Sequence, residues 1–225
     1  MEFLNGSKYL KGNRKGKKRN LLRILVVSLL VLQSLATFSQ GVLPAQKRAE
    51  AFRKSYEYES SKDYSHGVDA LLALKEDSYA VNLRLGWLYY NMGEYKTSML
   101  RYAKSIQLRP NSIEARFGYV LPAAKLKEWK RVASQYDAIL KLDPNNSKAN
   151  YYRGLMFYNV GEYEKAAPYF DKIEANYPFD YDIVILSAWN NYYLKNIEKA
   201  RQLFRQALLI QPSSASALQG LKVCK

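Results

Sequence analysis

The side chains able to do chemistry are few. Among 225 residues there is one histidine, His66, and one cysteine, Cys224. A lone thiol forms no intrachain disulfide and no thiolate zinc cluster, and a lone imidazole leaves almost nothing for histidine-based acid–base catalysis. His66 stands beside Gly67 near the start of a short predicted helix, which points to a surface or capping role, and Cys224 reads as an inert thiol. Glu94, Glu128 and Glu162 recur at intervals of 34, each at a predicted helix start, where a carboxylate is favoured by the macrodipole. No Gly-rich phosphate loop and no Gly-x-Ser-x-Gly is present. The expectation is therefore no enzyme, no metal site and no cofactor. What stands out instead is an aromatic excess: 20 Tyr, 8 Phe and 3 Trp.

The elements that must position those rings follow from a repeat. Pro110, Pro144, Pro178 and Pro212 fall 34 residues apart, and other columns keep the same step. Gly86, Val120, Gly154 and Ala188 form a mostly small column. Tyr102, Tyr136, Phe170 and Phe204 are all aromatic. A fixed period in this range is the mark of stacked helical hairpins. Small residues let two helices approach, and the rings fill the space between neighbouring hairpins. Gly93 and Gly161 are expected to end first helices in the left-handed conformation. Each proline ends a second helix, and Asn111 or Ser112, Asn146 or Ser147, Asp180, and Ser213 or Ser214 supply the next N-cap. Apolar residues at three and four spacing, such as Leu100, Ala103 and Ile106, are read as buried stripes. Predicted helices pair as 46–60 with 64–75, 79–92 with 95–108, 113–126 with 129–142, 147–160 with 163–176, and 181–194 with 197–210, followed by 214–224. Pro122 is expected to interrupt the helix over 113–126.

These columns resemble the tetratricopeptide repeat. Leu85-Gly86, Tyr89, Ser98, Tyr102 and Pro110 match one copy of its pattern; Gly154, Phe157, Ala166, Phe170 and Pro178 match another; Ala188, Ala200, Phe204, Ala207 and Pro212 match a third. The resemblance implies an all-α fold, a right-handed superhelical solenoid of helix-turn-helix repeats with a C-terminal capping helix. It divides residues 41–225 into a degenerate repeat at 45–78, repeats at 79–112, 113–146, 147–180 and 181–214, and a cap at 215–225, together one domain.

In this family the first helices line the concave face, and the period maps candidate binding residues onto it. Leu83, Phe117, Tyr151 and Ile185 share one column, and Trp87, Leu121, Leu155 and Trp189 the next. Tyr90, Ala124, Tyr158 and Tyr192 form a third, flanked by Asn91, Lys125, Asn159 and Tyr193. With Lys148, this gives a predicted peptide-binding groove of Trp87, Tyr90, Asn91, Phe117, Lys125, Lys148, Tyr151, Tyr158, Asn159, Trp189 and Tyr193. Rings offer large contact area at low entropic cost, with polar tips for orientation. Some of these rings could instead pack against the next repeat. The Lys–Asn–Asn–Lys–Arg carboxylate clamp of one family subtype finds only Lys148 here among Leu83, Trp87, Gly118, Lys148 and Tyr152.

The net charge of +15 is unevenly spread, since residues 1–23 hold eight basic residues against Glu2 alone. A charge-free stretch, Ile24 to Gln46, follows, with an apolar heart from Ile24 to Leu32 and small or polar residues after it. Basic flank, short apolar run and small-residue exit read as a signal peptide over 1–40, cleaved after Ala36 or Ser39, or as an uncleaved signal anchor. The sequence thus points to an exported protein–protein interaction scaffold of the periplasm or cell envelope. It would bind a peptide segment or partner protein, bind no nucleic acid, and touch the membrane only through an uncleaved leader. The alternative is a membrane-tethered structural or assembly factor.

Overall fold

The computed structural model describes residues 44–225, and the leader lies outside the described residues. They are helical, with no strand among them. They divide into two compact units, one ending at Lys75 and one running Glu76–Lys225.

The first unit holds α1 (44–60) and α2 (Tyr64–Leu72). The sequence pattern carried the second of these to residue 75, but the helix stops at Leu72, and Lys75 lies beyond it at φ 51°. Asp63 caps α2 by accepting the His66 N–H at 3.3 Å, and its other carboxylate oxygen lies 2.7 Å from His66 Nδ1. The lone histidine thus serves a helix start, stacked on Tyr58 at 5.4 Å.

The second unit is four hairpins and a last helix: α3 (Tyr79–Asn91) with α4 (Tyr95–Leu108), α5 (Ile113–Lys125) with α6 (Trp129–Leu142), α7 (Ser147–Tyr158) with α8 (Tyr163–Asn176), α9 (Tyr181–Tyr193) with α10 (Ile197–Ile210), then α11 (Ala215–Val223). Each second helix stops two residues before its proline. Arg109, Asp143, Tyr177 and Gln211 lie between helix and proline at φ from −131° to −139°, as a residue before proline must be extended. The next helix is then capped at the same column every time. Ser112, Asn146, Asp180 and Ser214 accept the N–H of Ala115, Ala149, Ile183 and Ala217, and Ser78 does the same for Val81. Two repeats are stitched to the next through this cap: the Tyr79 hydroxyl meets Ser112 Oγ at 2.8 Å, and Tyr181 meets Ser214 Oγ at 2.6 Å. Between the helices of a hairpin, Gly93 and Gly161 take φ of 80° and 79°; Lys127 and Lys195 fill the same column at 58° and 65°.

Two sequence expectations need correction. Pro122 does not interrupt its helix, which runs unbroken from Ile113 to Lys125. The ring sits three residues from the end, so only the last turn follows it and one intrahelical bond is lost, to the carbonyl of Gly118. Leu100 and Ala103 are not in the buried stripe of α4. That stripe is Ser98, Met99, Tyr102 and Ser105, and Leu100 on the opposite face is 72% exposed.

Consecutive helices pack side by side throughout the second unit. Two pairs of first helices, α3 with α5 and α9 with the final α11, also touch directly, whereas no pair of second helices approaches as closely. The core centres on the recurring rings. Tyr102 lies against Gly86 of its own hairpin and Gly118 of the next; a Cβ on Gly86 would stand 2.9 Å from the ring. Phe170 is held against Gly154 in the same way, at 2.7 Å, and Phe204 lies against Gly220 of α11. Gly118 and Gly220 form a second close-contact column, three periods apart, on the far side of the ring.

Candidate functional site

Ten of the eleven candidate residues lie on first helices α3, α5, α7 and α9 and the eleventh, Asn159, just past the end of α7, and the structure gathers most of them into three groups. In the first, Trp87 and Tyr90 stack at 5.9 Å and both are half-buried. Asn91 donates its side-chain amide to the Trp87 carbonyl at 2.8 Å, so part of its polar capacity is held within α3. Tyr90 also leans on Tyr95 across the hairpin turn, at 5.8 Å.

The second group joins α5 and α7. Phe117 meets Tyr136 edge-on at 6.4 Å, and the Lys148 ammonium lies over the Phe117 ring at 4.7 Å. One turn on, Tyr151 packs against Tyr152 at 5.2 Å. Lys148 and Tyr151 line an open cavity of about 360 Å³ with Tyr152, Tyr177, Asp180 and Asp182. It lies among the starts of α7 and α9 and the end of α8. Burial pushes the Tyr151 phenol up, and the carboxylates of Asp182 and Asp180 add to the shift, so this hydroxyl stays a donor well into the alkaline range. One cation, two carboxylates and phenolic hydroxyls around apolar rings can orient a peptide by both charge and hydrogen bonds.

The third group is the densest. Tyr193 stacks on Tyr163 at 4.4 Å and stands 6.1 Å from Tyr158 and 6.2 Å from Trp189. Burial, with Tyr193 and Tyr163 close by, pushes the Tyr158 phenol up to about 12. Trp189 is turned largely inward. Its ring meets the buried Phe204 edge-on at 4.9 Å, and its indole N–H donates to Ser216 Oγ in α11 at 2.8 Å. Tyr193, by contrast, is 42% exposed. Lys125, at the end of α5, and Asn159, just past α7, are exposed and join none of these ring contacts.

Sequence columns missed Tyr163, Tyr177, Asp180 and Asp182 as neighbours of the site. Tyr163 belongs to a second helix, and the sequence marks Asp180 only as a cap. The available signal was position: Tyr163 lies just past the Gly161 turn from Tyr158, and Asp180 and Asp182 open the helix after the one bearing Tyr151. The recurring glutamates hold no site. Glu128 and Glu162 pair with Arg131 and Lys165 three residues on, and Glu94 accepts from Thr97. Cys224 is buried, with its thiol pushed up by burial.

Known proteins agree with this architecture. The tetratricopeptide repeat family matches residues 80–112 and residues 123–181. No curated protein matches the chain. Among solved structures, a tetratricopeptide repeat protein from Parabacteroides merdae ATCC 43184 superposes with a TM-score of 0.67 at 20% identity, covering 80% of this chain and 72% of that one. YrrB, described as a TPR protein with an unusual peptide-binding site, gives 0.63 at 18% identity over 82% of this chain and 97% of its own. MamA from Desulfovibrio magneticus RS-1, residue 41 to the end, gives 0.59 at 19% identity over 66% and 84%. With the period, the proline-and-cap boundaries and the stacked hairpins, these matches make the chain a tetratricopeptide repeat protein.

Proposed function

We propose that the protein is an exported scaffold that binds a peptide segment of a partner protein along its first helices, and that it does so without catalysis. One observation carries the reading: Lys148 and Tyr151 line the same open cavity with Asp180 and Asp182 facing them. Such a lining offers an extended segment an apolar floor, a cation and two carboxylates. The description of YrrB as a peptide-binding member of the fold is in keeping with it. Export rests on the basic flank, residues 1–23, and the apolar run that follows it from Ile24 to Leu32. No helix among the described residues is long and apolar enough to cross a membrane. Site-specific photo-crosslinking in cell-envelope extract tests the face. A crosslinker at Tyr151 should capture a discrete partner, and one at the outward Leu100 should not. Equal capture at both positions, or capture at Leu100 alone, would overturn the assignment.

A further inference from the structure

A second cavity, larger than the one beside Tyr151, lies away from the first-helix face. It measures about 590 Å³ and lies between two second helices, α6 and α8. Its floor is made of Phe157 from α7 and Tyr169 from α8, stacked at 5.7 Å with 28° between the rings. Around that floor stand three ammonium groups: Lys141 from α6, and Lys165 and Lys172 from α8. Lys165, Tyr169 and Lys172 fall at i, i+4 and i+7 on one face of the helix.

The acidic residue of the lining is already engaged. Asp137 accepts from Arg153 Nε at 2.7 Å, and that guanidinium is laid over the Phe157 ring at 4.1 Å. Asp171 pairs with Lys199, on α10. Lys165 touches Glu162 at 3.0 Å on the exposed rim, a contact of small worth in water. No ion pair holds Lys141 or Lys172 among the described residues.

Folding does not require this arrangement. One period before and after Lys172 stand Ala138 and Gln206; for Tyr169 they are Gln135 and Leu203; for Lys141, Gln107 and Ala175. Lys165 is matched by Arg131 and Lys199 one period away, but Tyr169, Lys172 and Lys141 together belong to this junction alone. Pro168, inside α8 on the same wall, is equally without a counterpart and has no N–H to give the Glu164 carbonyl.

We propose that this α6–α8 cavity is a second docking site, for an acidic peptide segment carrying an apolar anchor. The rings take the anchor, and the spaced lysines take flanking carboxylates by charge complementarity. A small inorganic anion suits the site poorly, because it wants convergent donors, and these three ammonium groups stand apart on two helices around an apolar floor.

The test uses the full chain and a dye-labelled peptide of Glu residues flanking one Phe, read by fluorescence anisotropy. Controls replace every Glu by Gln, or the Phe by Ala. Binding should need both features and weaken with salt. The double variant Lys141→Gln/Lys172→Gln, with exposed lysines removed and melting unchanged, should bind about tenfold more weakly or worse. Tyr151→Ala should bind as the parent does, which separates this site from the first-helix face. Absent binding, equal affinity for the Gln peptide, retained affinity in the double variant, loss in Tyr151→Ala, or displacement by an equal concentration of inorganic phosphate would each overturn the proposal.

Discussion

The chain uses aromatic rings in two ways. Tyr102, Tyr136, Phe170 and Phe204, one in each second helix of the four hairpins, are at most 5% exposed. Three of the four press on glycine. Along the first helices, Trp87, Tyr90, Tyr151 and Tyr158 are half-buried, Tyr193 is exposed, and their partners change from hairpin to hairpin. The difference follows from what each set has to satisfy. Every hairpin must offer the next the same shape, so a packing ring has to recur. A ring that meets something outside the array is under no such constraint. Strict recurrence marks the fold, and where recurrence breaks the ring is not dictated by the shape that every hairpin shares.

The comparison can be broken most severely at its buried end. Phe170 is fully buried, with Gly154 against its edge. Phe170→Ala leaves a cavity that the neighbouring helix backbones cannot close, so a loss of about 3–5 kcal/mol is expected in denaturant unfolding. Because each hairpin leans on its neighbours, the loss should spread beyond α7 and α8 in hydrogen exchange. A change below about 1 kcal/mol would mean that the recurring column does not hold the array together.

Much of this fold was legible because its punctuation is chemical. Proline fixes where a second helix stops, the residue before it is forced extended, and Ser, Asn or Asp then starts the next helix; all of that is written in residue type. Less was legible where a residue's meaning depends on a partner. Gly118 and Gly220 share a column with Tyr152 and Leu186, so nothing in the sequence marks them as the places where the rings of Tyr102 and Phe204 come to rest. Pro122 read as a break because residue type does not reveal that only the last turn of the helix follows it. At the cavity beside Tyr151, the columns supply Tyr151 and the clamp comparison Lys148, but Asp180 and Asp182 come from the following helix and Tyr177 from the end of α8. Those approach only through tertiary packing. The α6–α8 cavity was hidden for the same reason: a periodic reading looks for agreement between repeats, and that cavity is made of residues that disagree.

A smaller effect sharpens the buried end of the comparison. Burial, with Tyr152 close by, pushes the Tyr136 phenol up to about 12, and Tyr102 is raised too, again mainly by burial. In the unfolded chain both would ionise near 10. The folded state therefore holds its protons longer, and the stabilisation is intact below about pH 10 and lost as pH rises towards 12. Tyr136 alone should contribute about 2–3 kcal/mol to that loss. Tyr136→Phe should flatten the alkaline limb of a melting-temperature profile by this amount. An unchanged limb would show that the ring's hydroxyl is solvated after all.

The least effect is expected at the open end. Tyr193 is 42% exposed, yet its ring stacks on Tyr163 and touches Tyr158 and Trp189. Removing an exposed ring forfeits the pair contact but leaves water, not a void, in its place. Tyr193→Ala should therefore cost only about 0.5–1.5 kcal/mol of stability. The neighbouring Trp189 gives the internal control. It is tied to Phe204 and Ser216, so Trp189→Ala should cost nearer the 3–5 kcal/mol of a packed ring. If both variants lose stability alike, the first-helix rings are packing residues throughout. If Tyr193→Ala keeps its melting temperature but loses the partner captured by a crosslinker at Tyr151, the broken column has a use that folding does not supply.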